Sequence, residues 1–321
     1  MSSAPRAVSL PTLAGHFQIA RVDHWVKSVF VLPGIVVPLA LDPAVRTPAL
    51  LGHALLGIFA TCLVTSANYV INEVMDAPFD RWHPLKSGRP VPSGKVSVPL
   101  AIVEWIGLAA LGIGLGLYIS IPFAATLLAL WIMGCLYNLP PIRTKDLPYV
   151  DVLSEAVNNP LRMLAGWYIT GSMLVPSASL LASYWMIGCY FMALKRYAEL
   201  RDLGDSRAAS AYRRSFAFYT DERLLTSVVF YASSAMLFFG AFMTRYRMEL
   251  LLAVPLIALV LACYLRLAFK PDSAVQRPEG LYREPALMAA VISCSIAMSV
   301  LLFVDVPAIY SIFAPMLPMT K

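Results

Sequence analysis

Nine stretches of mostly apolar residues, each near 20 long, constrain this chain more than any other feature: 25–42, 48–70, 99–118, 121–138, 150–170, 177–196, 224–243, 249–267 and 286–304. A helix rises about 1.5 Å per residue, so about 20 such residues cross the hydrocarbon of a bilayer. Lipid offers no partners for backbone N–H and C=O groups, which excludes open strands and makes these runs helices. Composition agrees. Of 321 residues 59% are hydrophobic and 14% charged, with mean hydropathy +0.69, whereas a soluble domain carries about 25% charged residues. A disordered chain, a disulfide-rich secreted module and a soluble nucleic-acid binder are excluded. The five cysteines lie in or beside apolar runs without a CxxC pair and read as small buried hydrophobes.

The fold class expected is therefore all-α: a polytopic membrane protein with nine transmembrane helices in one bundle, carrying cytoplasmic caps. No internal repeat or long linker divides the chain. It reads as a tail over 1–22, one transmembrane domain over 23–305 and a second tail over 306–321. The polar N-terminus lacks the apolar core and cleavage site of a signal peptide. Twenty of the 25 Lys and Arg residues fall on the N-terminal side of the nine spans, and four on the other. By the positive-inside rule the N-terminus and long loops are cytoplasmic and the C-terminus lies opposite, as in a bacterial inner membrane. Fifteen of the 19 acids share the cytoplasmic side, so chemistry is expected there.

The second span closes on Asn72-Glu-Val-Met-Asp76-Ala-Pro-Phe-Asp80-Arg81-Trp-His83. Asn72, Asp76 and Asp80 recur at i, i+4 and i+8, which stacks them on one helix face. Pro78 is expected to break the ladder between the two acids and swing Asp80 toward a shared ion. Carboxylate and amide oxygens suit Mg²⁺, which binds one or two carboxylates together with substrate phosphates. Lys86 and Arg89 follow among Gly and Pro turns, where Arg can grip a phosphate through two nitrogens. Arg81 and His83, between acids and bases, join the expected substrate contacts. A solvated juxtamembrane loop would explain the charges but not their spacing.

Two further spans carry polar groups. The sixth ends in Lys195-Arg196-Tyr197-Ala-Glu199, which reads as a ligand site rather than a snorkelling flank. In the fifth, Asp151, Glu155, Asn158 or Asn159, and Arg162 form one polar stripe, with a kink expected at Pro160. Ionisable groups at membrane depth are costly and usually face a cavity. Lys27 opens the first span as either a site cation or an interfacial anchor. Glu104 is left without a role. No GxSxG, Walker loop, HExxH or strand-associated GxGxxG occurs, so hydrolase and hydride-transfer chemistry have no foothold.

Taken together, the nine spans, Asn72-x3-Asp76-x3-Asp80 and the following Arg89-Pro-Val-Pro-Ser-Gly resemble the UbiA-type membrane transferases over roughly 20–305. The resemblance implies a helical bundle that holds a Mg²⁺-bound diphosphate donor near the cytoplasmic face. Prenyl-transferring members usually carry a second Asp-rich cluster where this chain reads Lys195-Arg-Tyr-Ala-Glu-Leu200. That segment, with Trp25-Val-Lys27 and Asp151…Arg162-x3-Gly166, is similar to the branch making polyprenyl-phosphate phosphoribose. The implied function is phosphoribosyl transfer from phosphoribosyl diphosphate to a decaprenyl-type polyprenyl phosphate. Asp76, Asp80, Lys86 and Arg89 would be catalytic. Asn72, Asp76 and Asp80 would hold Mg²⁺. The substrate contacts would be Lys27, Asn72, Arg81, His83, Asp151, Asn158, Arg162, Lys195, Arg196, Tyr197 and Glu199. A homo-oligomer is compatible with the sequence and not required by it, and no nucleic acid is involved. Glu199, Asp202 and Asp205 keep a second reading open, prenyl transfer to an aromatic or other small acceptor. A non-enzymatic isoprenoid carrier is the third.

Overall fold

A computed structural model describes residues 10–81, 86–204, 213–276 and 278–313. Among them every regular element is a helix. A short helix α1 (Leu13–Ile19) is capped by the Thr12 side chain, which accepts from the Gly15 N–H. The first expected span begins as a 3₁₀ segment, Val22–Val31, and only then becomes α2 (Leu32–Leu41). The long α3 (Ala49–Asp80) and α4 (Val98–Ile119) pack side by side, followed by α5 (Ile121–Asn138). Ser120 starts α5 by accepting from the Phe123 N–H, ahead of a proline in its first turn.

The fifth expected span is two helices, α6 (Val150–Ala156) and α7 (Asn158–Ile169). Pro160 has no N–H for the carbonyl of residue 156, and its ring crowds that carbonyl, so the ladder parts at Val157. The single polar stripe expected there is thus divided between two axes. Beyond it run α8 (Ala178–Leu203), α9 (Asp221–Tyr246), α10 (Val254–Ala268), α11 (Pro285–Phe303) and a short α12 (Pro307–Ile312). Thr220 caps α9 through the Arg223 N–H, with Asp221 and Glu222 in the positive first turn.

Among the described residues seven segments are long and apolar enough to cross a membrane: Leu13–Leu41, α3, α4, α5, α9, Met248–Ala268 and α11. Two of the nine expected spans fall short, one because it is broken and the other, α8, because its second half is polar. These two stand inside the bundle, where protein and not lipid surrounds them. Close backbone approach fixes α7 at the centre. A β-carbon at Gly166 would overlap the Val31 carbonyl, and one at Gly34 the Met163 carbonyl, so small residues let α2 and α7 touch. Buried apolar side chains form one cluster around α6, α8, α9 and α10 and another around α3, α5 and α7. The polar helix ends meet between them.

Candidate functional site

The C-terminal turns of α3, α5 and α8, the start of α6, and two connecting segments, 86–97 and 213–219, surround one charged cleft. Helix α3 does not break at Pro78; it continues to Asp80. A proline this close to a helix end forfeits one ladder bond, and its fixed φ is already helical. Asn72, Asp76 and Asp80 therefore share one face, and Asp80 is not swung toward Asp76. Each meets its own partner instead. Asp80, nearly inaccessible, accepts from Arg89 Nη1 at 2.5 Å. Asp76 accepts from Lys145 Nζ and, at 3.1 Å, from Arg143 Nη2. Asn72 donates to Asn138 Oδ1 at 2.7 Å, which also accepts from Lys145 at 3.2 Å.

Arg143, Lys145, Tyr137 and Asn138 were not among the expected site residues. The loop after α5 had been counted only for topology. A signal was present: Tyr137-Asn138-x4-Arg143-x-Lys145 closes an apolar span on amide and cations, much as Asn72 to Arg89 closes another. Arg143 sits at a left-handed φ of 31°, a conformation costly for a residue with a β-carbon and often retained where a side chain must be aimed. Here the guanidinium spans Asn138 O and Asp76. Burial lowers Lys145 to about 8, against the pull of Asp76. Burial also lowers Lys86 to about 8, opposed by Glu199 and Asp80 and reinforced by Arg89 and Lys195.

A second network is internal. Arg196, 1% exposed, commits its nitrogens to Asp151 (3.1 Å), Glu155 (2.6 Å), Glu199 (3.0 Å) and the Tyr137 hydroxyl (3.2 Å). It ties α8 to α6 and α5 with no donor directed at a ligand. Asp151 is likewise enclosed, accepting from Arg196, Arg213 (3.0 Å), Ser215 (3.3 Å) and Tyr219 (2.5 Å). Tyr197 turns away from the cleft to pack edge-on against Phe269. Arg81 is exposed and its N–H ends α3, while His83 lies outside the described residues. Asn158 donates to the Glu155 carbonyl at 2.9 Å, leaving its own buried Oδ1 without a donor. Glu104, without a role in the sequence, faces His16 Nδ1 at 3.0 Å.

A third group lies deeper. Arg162 is within electrostatic range of Cys62, Tyr69 and Tyr184. On α3 those positions stand 7 to 14 residues before Asp76, about 10–20 Å further into the bundle. Its buried Nε has no hydrogen-bond partner, and no ion pair or hydrogen bond reaches the guanidinium among the described residues. Lys195 also has no hydrogen bond or ion pair among the described residues, but Glu199, Glu155, Arg196 and Lys27 lie around it at longer range. Lys27 donates to His24 Nδ1 at 3.0 Å and lies over the Tyr69 ring.

The cleft lined by Asp76, Phe79, Asp80, Arg143, Lys145, Asp146, Arg213 and Arg214 has a free volume of about 40 Å³. That is space for a water or two. Among the described residues no three His, Cys, Asp or Glu side chains converge. The amide and two carboxylates of α3 nonetheless fit Mg²⁺, a hard ion that completes its shell with water and substrate phosphate.

A profile of the UbiA prenyltransferase family matches residues 30–282. The decaprenyl-phosphate phosphoribosyltransferase of Corynebacterium glutamicum is 30% identical over 212 residues, which cover 64% of this chain and 60% of that protein. The chain thus matches less than two thirds of that relative's length. The Mycobacterium tuberculosis protein of the same name is 28% identical over 71% of this chain and 73% of its own. In fold, the chain is similar to a UbiA homolog from Archaeoglobus fulgidus bound to DMAPP and Mg²⁺: TM-score 0.66, 22% identity, covering 88% of this chain and 99% of that one.

Proposed function

The chain belongs to the UbiA prenyltransferase family of integral membrane transferases, and within that family we propose that it is a Mg²⁺-dependent phosphoribosyltransferase of the glycosyltransferase type. It moves 5-phosphoribosyl from phosphoribosyl diphosphate to a decaprenyl-type polyprenyl phosphate, releasing diphosphate. The observation that carries this reading is Arg162, deep in the bundle with a buried Nε that has no hydrogen-bond partner, together with Lys195, which has Glu199 and Glu155 only at longer range. A buried charge left unpaired is costly and calls for an anionic partner. A prenyl diphosphate extends beyond its diphosphate only as hydrocarbon and would leave both cations beside a greasy tail. Phosphoribosyl diphosphate brings a second phosphate, and the acceptor a third. The names of the corynebacterial and mycobacterial relatives point the same way. Glu199 is paired with Arg196, and Asp202 with Arg201 and Gln276, as Asp76 and Asp80 are paired with cations of their own. Asp205 lies outside the described residues.

The transferase domain is taken as 23–305, with its active face cytoplasmic. Asp76 and Asp80, assisted by Asn72, would hold Mg²⁺, which when bound offsets charge on the departing diphosphate. Lys86 and Arg89 stabilise the negative charge that grows as the C1–oxygen bond breaks. The acceptor phosphate oxygen is already a nucleophile and attacks C1 from the opposite face without a strong base. An α-configured donor therefore gives a β product. The polyprenyl tail lies in lipid-accessible apolar space between helices. The test is purified protein with Mg²⁺ and labelled donors. Label passing from phosphoribosyl diphosphate into an organic-soluble polyprenyl phosphate is the expected result, and consumption of prenyl diphosphates alone would refute the reading. Asp76→Asn should reduce turnover about 10²–10³-fold; unchanged biological activity in a well-expressed variant would favour a carrier instead.

A further inference from the structure

The segment 213–219 is held with unusual investment for an exposed connection. Arg213 donates to Asp151 at 3.0 Å and to the Tyr137 hydroxyl at 3.2 Å. Ser215, wholly inaccessible, and Tyr219 donate to the same Asp151 carboxylate at 3.3 and 2.5 Å. Burial and Asp151 both push the Tyr219 hydroxyl up, so it keeps its proton and remains a donor. Phe216 is buried and packs against Tyr219. A buried carboxylate satisfied by four donors, two of them guanidiniums, is rigid, because removing any one leaves a buried acceptor short of a partner.

Between these pinned neighbours stands Arg214, which is exposed. Residues 215 and 216 are buried, while the side chain of 214 lines the cleft with Asp76, Asp80, Arg143, Lys145, Asp146 and Arg213. No ion pair or hydrogen bond occupies it among the described residues. Its neighbour Arg213 is spent on Asp151 and Tyr137; Arg89 faces Asp80. We propose that Arg214 is a further binding residue for the diphosphate at this site, and that Asp151, through Ser215 and Tyr219, is the positioning residue that presents it. A guanidinium suits this task, since its fork engages two phosphate oxygens at once.

This rests on the transferase reading, but diphosphate is the leaving group in both phosphoribosyl and prenyl transfer, so its binding separates the two questions. Mg²⁺-diphosphate binding to the full-length protein in detergent is measured by calorimetry, beside binding of polyprenyl phosphate. Arg214→Gln, at an exposed position, should weaken Mg²⁺-diphosphate five- to tenfold and leave polyprenyl phosphate within twofold. Arg214→Lys should recover part of the loss. Tyr219→Phe should weaken Mg²⁺-diphosphate about threefold in a protein that still melts cooperatively, and add little to Arg214→Gln in the double variant. Unchanged diphosphate affinity in Arg214→Gln overturns the proposal, as does an equal loss for both ligands. A protein that binds diphosphate through Arg214 yet consumes only prenyl diphosphates sinks the phosphoribosyl reading and leaves this one standing.

Discussion

Cations of similar sequence appearance divide sharply by what surrounds them. Lys195 and Arg196 are adjacent in the chain, yet Arg196 is saturated by three carboxylates and a hydroxyl while Lys195 has none within bonding distance. Rotation of 100° between neighbours on a helix is enough to send one to the carboxylates of α6 and leave the other outside that network. Arg162 extends the contrast, because its buried Nε has no hydrogen-bond partner, a cost that the proposed anionic substrate would offset. Arg162→Met should therefore raise the thermal midpoint of the ligand-free protein by about 2 °C while reducing turnover at least tenfold. A lowered midpoint with retained turnover would contradict the role. Lys86 supplies a pH signature. Because its folded pKa, about 8, lies below the ordinary 10.5, the folded protein sheds this proton first as pH rises. Its stability contribution consequently improves from pH 8 toward 10.5. Activity moves the other way: kcat/KM for the donor should fall above about pH 8, since the charged ammonium meets the diphosphate. The limb in kcat should lie at higher pH, as bound phosphate holds the proton on; a pH–rate series resolves both.

At the scale of elements, two prolines of similar sequence context act differently. Pro78 sits in the last turn of α3, where one lost ladder bond changes little, and the acids stay in register. Pro160 sits three residues into a run that has ladder bonds to lose on both sides, and the helix parts. That break lets α6 aim Asp151 and Glu155 at α8 while α7 carries Arg162 inward. The close contact of α7 with the first span depends on Gly34 and Gly166. Gly166→Ala should cost about 2 kcal/mol by forcing the helices apart, visible as a lower melting temperature in fluorescence-detected size exclusion. Full stability in that variant would mean the contact is looser than described.

At the scale of the whole molecule, the charges define a sidedness. The loops joining the site lie on the strongly basic side, which predicts a cytoplasmic N-terminus and active face with the C-terminus opposite. Reporter fusions at each end, or labelling of single cysteines placed at 46 and 214 in a cysteine-free background, would check this. Labelling of both positions from the same side would reject it.

The membrane class, the helical fold and the acidic face of α3 were legible in the linear chain, because bilayer thickness and helical periodicity act over a span of 20 residues or fewer. The Arg89–Asp80 pair, nine residues apart, lies within that local reach, although the sequence pointed Arg89 at a phosphate. Arg143, Lys145 and Arg213 were not legible, since their partners lie 60 or more residues distant and only helix packing brings them together. For the same reason no local pattern separated Lys195 from Arg196, or showed Tyr197 buried against Phe269. Local periodicity determined which faces are polar. Tertiary packing decided which polar groups neutralise one another, and among the described residues it left Arg162, Lys195 and Arg214 outside those pairs.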